Sequence, residues 1–67
     1  MEVPTMYIVY AEIHKDGKVE RWYYGTWADR NRANEVALDL DGHWPIYYCV
    51  CKEEEAEELG IQNLPRR

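Results

Sequence analysis

The side chains with most scope for chemistry are two thiols one residue apart, Cys49 and Cys51, and two imidazoles, His14 and His43. Together they number four, the ligand count of a structural zinc. Their placement argues against one. The cysteines lie in "PIYYCVC", an apolar, aromatic and β-branched run that reads as a strand. Both histidines belong at the turn end of the elements that carry them. Cys51 lies five residues beyond Ile46, about 16 Å along an extended chain. Zinc ligands must converge to about 2.0–2.3 Å from the metal. No metal is expected, and the cysteines read as small apolar side chains of a packed strand face. Side chains two apart on a strand point the same way, with poor geometry for a mutual disulfide. Free thiols suit a reducing compartment, so the expected localisation is cytoplasmic.

The same thiols are the candidate nucleophiles. Strand-borne cysteines without a nearby base are not activated, and the glutamates after Cys51 oppose a thiolate there. There is no HExxH pair, no glycine-rich phosphate loop and no supported Ser-His-Asp order. A chain of 67 residues rarely encloses a pocket of about 300 Å³ or more. The expectation is a protein that is not an enzyme and uses no cofactor.

Charge narrows the partners. With 13 acidic against 8 basic residues the net charge is -5. Such a chain repels phosphate backbones and anionic headgroups unless its bases cluster, which makes nucleic acid an unlikely partner. The best cluster is Arg21, Arg30 and Arg32. Arg30 and Arg32 open a helix, where the dipole disfavours each by about 0.3–1 kcal/mol, and Asp39 and Asp41 stand at its wrong end. That double violation makes anion or nucleic-acid binding at Arg21, Arg30 and Arg32 one alternative; pairing of Arg32 with Glu35 is the plain explanation. A second alternative is the acidic run Glu53–Glu58, acting as an inhibitor or nucleic-acid mimic. More often such a run is the wet side of a short helix, with its acids favoured at the N-terminus.

These residues need elements to position them. Asp16-Gly17 signals a type I′ hairpin turn between strands at Met6–His14 and Lys18–Gly25. A two-residue loop pairs Glu12 with Arg21, Ala11 with Trp22, Tyr10 with Tyr23 and Val9 with Tyr24; opposite charges across a pair favour this register. Asp29 is an N-cap candidate for a helix whose apolar stripe is Ala33, Val36, Ala37 and Leu40. Gly42 is placed to end it in a left-handed conformation. A third strand covers Ile46–Lys52, and a short helix covers Glu53–Leu59, with Gly60 as its stop and Ile61 folding back. The N-terminal MEVPTM shows no signal-peptide pattern, and no apolar run is long enough to span a membrane.

The predicted fold is α+β, a two-layer ββαβα domain spanning 1–67, with residues 1–5 and 62–67 loose. The helical crossover favours a sheet of order 2-1-3, with strands 2 and 3 parallel and antiparallel to strand 1, and both helices on one face. Tyr7, Val9, Ala11, Ile13, Trp22 and Tyr24 form one face, with Ile46, Tyr48 and Val50 beside them and Val36, Leu40 and Leu59 above. The opposite face then stays open and carries Met6, Ile8, Tyr10, Tyr23, Trp27 and Tyr47. Apolar patches beyond a few hundred Å² usually mark contacts, and Tyr, Trp and Met are enriched in interface cores. The function expected is therefore a small soluble protein-interaction or homodimerisation module, its partner a protein or a second copy. Strand 3 adds an apolar, β-prone sheet edge, guarded only by Pro45 and Lys52.

Overall fold

The computed structural model describes residues 5–65; residues 1–4 and 66–67, parts of the two segments expected to be loose, lie outside it. Element order is β1 (Tyr7–Lys15), β2 (Lys18–Trp27), α1 (Arg30–Asp39), β3 (Ile46–Lys52) and α2 (Glu53–Leu59). The sheet has order β2-β1-β3, with β1 antiparallel to both neighbours.

The hairpin forms as its turn chemistry requires. Asp16 and Gly17 have φ of 48° and 77°, the two positive values of a type I′ turn. From there the register holds through Glu12–Arg21, Ala11–Trp22 and Tyr10–Tyr23. A bulge between Val9 and Tyr10 then breaks it, and Val9 faces Gly25 rather than Tyr24. One extra residue on β2 reverses the facing of everything beyond it. Trp27, expected beside Met6 and Ile8, instead pairs with Tyr7 and stacks on Tyr24 at 6.3 Å between ring centroids. A Cβ on Gly25 would lie 2.6 Å from the Trp27 ring, so the indole lies over a residue that must lack a side chain.

α1 starts as expected, with the Asp29 carboxylate accepting from the Asn31 N–H at 2.9 Å. Its stop differs. Leu40 is the C-cap, and Asp41, at φ 50°, takes the left-handed conformation assigned above to Gly42. Gly42 is needed for close approach: a Cβ there would meet the Tyr48 ring at 2.8 Å and the Tyr48 backbone nitrogen at 3.0 Å. Gly60 does end α2 at φ 68°, and the Ile61 N–H returns to the Ala56 carbonyl at 3.4 Å.

The helices do not share a face. α1 packs on the sheet on the side of Val9, and its Ala33 is fully buried. β3 runs into α2 with no loop between Lys52 and Glu53, and this drops α2 onto the side carrying Ile8, Tyr10 and Cys51. Ala56, Ile61 and the partly buried Leu59 and Leu64 complete that second cluster. Leu59, expected beside Val36 and Leu40, is therefore on the other side of the sheet. The segment after α2 is held as a strap. Gln62 donates to the Arg21 carbonyl at 2.7 Å and accepts from the Tyr23 N–H at 2.9 Å, forming a bridge parallel to β2. The bonds at Gln62 and the packing of Leu64 correct the expectation of a loose tail at those two residues.

The strap's grip is testable. Ile61→Ala should cost about 2–5 kcal/mol in urea unfolding, the usual range for a buried isoleucine truncated to alanine. Leu38→Ala, on a side chain that is 78% exposed, should stay within about 0.5 kcal/mol of the parent.

Candidate functional site

Position on β1 decides what each candidate residue touches. Ile8, Tyr10, Glu12 and His14 alternate onto one face, with Cys51, Cys49 and Tyr47 opposite the first three on β3. α2 and the strap cover the Ile8 half of this face. Ile8 and Tyr10 are 1% and 8% exposed, and Tyr23 and Cys49 pack against them. Met6 is half-buried, and Trp27 is on the other face. The patch of Met6, Ile8, Tyr10, Tyr23, Trp27 and Tyr47 therefore does not exist as an open surface. Ile8 and Tyr10 are interior, Met6, Tyr23 and Trp27 are half-buried, and Tyr47 alone among the six is exposed.

Covering changes the chemistry beneath. Burial pushes the Tyr10 hydroxyl up from 10.0 to about 12, helped by negative charge on Cys49 and Cys51, a hydrogen bond with Cys49, and Glu12. Burial also raises Cys49, with Glu12 adding to it, and raises Cys51, with Glu55 adding to it. Activation of a thiol nucleophile requires the opposite shift. Cys51 stands opposite Ile8, at the far end of β1 from His14, whose N–H donates to the Pro45 carbonyl at 2.9 Å. The two cysteines are thus on β3 towards the far end from His14, and His43 lies in the loop before β3. Among the described residues no three acidic, His or Cys side chains group as a metal site.

The uncovered half of the same face is at the hairpin end, where the sequence placed only charge. His14 is the centre of an aromatic cluster there. Its ring lies 5.3 Å from Trp44 and 5.7 Å, edge-on, from Tyr47; Trp44 and Tyr47 are 6.5 Å apart. The Glu12 carboxylate holds the imidazole Nε2 at 3.0 Å. Val19 faces His14 across the hairpin, and a shallow hollow of about 200 Å³ separates it from Trp44. Trp44, Val19 and Tyr47 are 67%, 43% and 39% exposed. Trp44 is not legible as a site residue from sequence because it sits in the loop before Pro45, where no periodicity assigns a face. The one available signal was a large aromatic residue next to a proline outside any strand.

The basic candidates do not assemble. Arg21 lies on the strap side, donating to the Leu59 carbonyl at 3.3 Å, with its Nε 3.6 Å from Glu12. Arg30 and Arg32 sit on α1, across the sheet, and Arg32 pairs with Glu35 at 3.1 Å. The acidic run forms the outer side of α2, which presses Ala56 inward. An open groove runs between α2, the strap and Thr26, with Ile8 and Ile61 in its floor and Glu54 and Glu57 on its rim. Among the described residues no helix is long and apolar enough to cross a membrane.

Compared with protein-family models, curated proteins and solved structures, the chain matches none.

The Tyr10 shift gives a pH prediction. A pKa raised in the folded state means that the unfolded chain releases this proton first. Stability should therefore fall as pH rises from about 10 towards 12. An ultraviolet titration should show a late tyrosinate step near pH 12, and Tyr10→Phe should remove it.

Proposed function

We propose that the chain is a small protein-interaction module that acts by self-association, its aromatic contact surface being His14, Val19, Trp44 and Tyr47 at the hairpin end of the sheet. One observation carries this reading: Trp44 is held against His14 and Tyr47 while two thirds of it stays in water. Rings already ordered by one another lose little further entropy on contact, and Trp and Tyr are the side chains that anchor interfaces.

Two features favour a second copy as the occupant. The core is thin: Ile8 and Val9 are the largest fully buried side chains. A domain of this size gains from any surface that a partner removes from water. The charge distribution points the same way. The chain carries -5 overall, but the hairpin end is bordered by Lys15, Asp16 and Lys18 and lacks that excess of acid, so like molecules repel least there. The anion-binding alternative has less support, because Arg21 and Arg32 are engaged within the chain.

Light scattering over a range of concentrations tests the reading. The mass should rise from monomer to dimer, and the double variant Trp44→Ser with Tyr47→Ser should shift the midpoint at least tenfold upward, a change of about 1.4 kcal/mol. At concentrations where both are monomeric, its urea unfolding should stay close to the parent's. A monomeric mass at every concentration would refute self-association.

A further inference from the structure

The hydrogen-bond parity of the sheet identifies which backbone groups face outward on β3. His14 donates to Pro45 and Glu53 donates to Met6, so these two bonds bracket the β1–β3 ladder. Between them the hydrogen-bonded pairs are Glu12–Tyr47, Tyr10–Cys49 and Ile8–Cys51. The N–H and C=O groups of Ile46, Tyr48, Val50 and Lys52 therefore point away from β1, along the sheet's edge. The β2 edge obeys the same parity. Arg21 and Tyr23 face outward there, and Gln62 of the strap engages the Arg21 carbonyl and the Tyr23 N–H.

Part of the β3 edge is also occupied. The Ile46 N–H donates to the His43 carbonyl at 2.8 Å. Gly42 runs against the next two groups: a Cβ on it would lie 3.1 Å from the Ile46 carbonyl oxygen and 3.0 Å from the Tyr48 nitrogen. At the other end Lys52 is the N-cap of α2, so its carbonyl accepts the first helical bond. Among the described residues four consecutive edge groups are left: the Tyr48 carbonyl, the Val50 N–H and carbonyl, and the Lys52 N–H.

Those four groups complement themselves under a two-fold axis. With Val50 opposite Val50, each Val50 N–H meets the other copy's Val50 carbonyl, and each Lys52 N–H meets the other copy's Tyr48 carbonyl. Every free group is used, and no occupied one is needed. Shifting the register by two residues in either direction calls on the Tyr48 N–H behind Gly42 or on the Lys52 carbonyl inside α2. No like charges face each other at the axis. Lys52 lies opposite Tyr48, and Cys49 lies opposite Cys51.

We propose that two copies of this chain join β3 to β3, antiparallel and centred on Val50, into one continuous six-stranded sheet. This rests on the self-association reading above and narrows its contact: Trp44 and Tyr47 border the joined edge, while Val19, on β2 at the opposite edge of the sheet, lies outside it. The two-fold axis keeps corresponding faces on the same side, so the start of each α2 comes alongside Tyr47 and Trp44 of the other copy. The aromatic cluster then flanks the joined edges, which is how its loss weakens a dimer held by backbone bonds.

The test uses the full chain in a mixture of isotope-labelled and unlabelled copies at dimer-forming concentration. A filtered Overhauser spectrum should show a cross-peak from the Cys49 Hα of one copy to the Cys51 Hα of the other, the close contact of a non-hydrogen-bonded antiparallel pair. Exchange of the Val50 and Lys52 amides should slow with concentration. Val50→Pro removes the central donor, which the monomer's ladder does not use, and should leave the mass monomeric while circular dichroism stays native. If that variant fails to fold, the Overhauser contact decides. A dimer with no Cys49–Cys51 contact and unchanged Val50 exchange overturns the edge geometry and leaves self-association standing. A monomer throughout overturns both.

Discussion

Ile8 and Val9 are consecutive residues of the central strand and both are fully buried. Consecutive strand residues point to opposite faces. Both faces of β1 must therefore be covered, and one helical layer cannot do it. The rest of the chain is the solution to that constraint. α1 covers the Val9 side as the crossover from β2 to β3. α2 and the strap cover the Ile8 side, and the strap ends by pairing with the edge of β2. This also explains why the hairpin has two apolar faces. Neither is a free surface over the half of β1 that lies away from the turn.

What the sequence made legible follows from range. The turn, the register beside it, the facing of Tyr47, Cys49 and Cys51, and the stop at Gly60 depend on neighbours a few residues away or on strict alternation. All are found as expected. The bulge at Tyr24 has no local signature beyond Gly25, whose role is visible only once Trp27 lies on it. Strict alternation carried through that point puts Trp27 on the wrong face. Asp41 taking the left-handed cap from Gly42 is a similar case. Two adjacent residues both tolerate the conformation, and the close approach of Gly42 to Tyr48 decides between them.

The side on which α2 packs was not legible because apolar patterning records that a surface needs covering, not what covers it. Ala56 and Leu59 give a short helix an inner side, and that side fits either face of a sheet. The direct join of β3 to α2, together with the length of strap needed to bring Ile61 over Tyr10, selects the face. The contact surface moved for the same reason. Met6, Ile8, Tyr10 and Tyr23 were the apolar end of their face, so they were the end most in need of cover. What remained in water was the end that looked charged, and there Glu12 is occupied with His14 and Arg21.

Sheet edges impose a second constraint. A three-stranded sheet has two, and exposed edges recruit strands. Here the two are managed unequally. The outer edge of β2 is met by Gln62, which takes the Arg21 carbonyl and the Tyr23 N–H in its middle. The edge of β3 is met by the loop after α1, but only as far as Tyr48, because the loop must turn at Asp41 and leave. Extending that cover would require more chain between α1 and β3, and the crossover has only residues 40–45 to span it. The opening around Val50 is thus a consequence of a short connection. Its two limits, Gly42 on one side and the first bond of α2 on the other, leave a self-matching set of backbone groups between them.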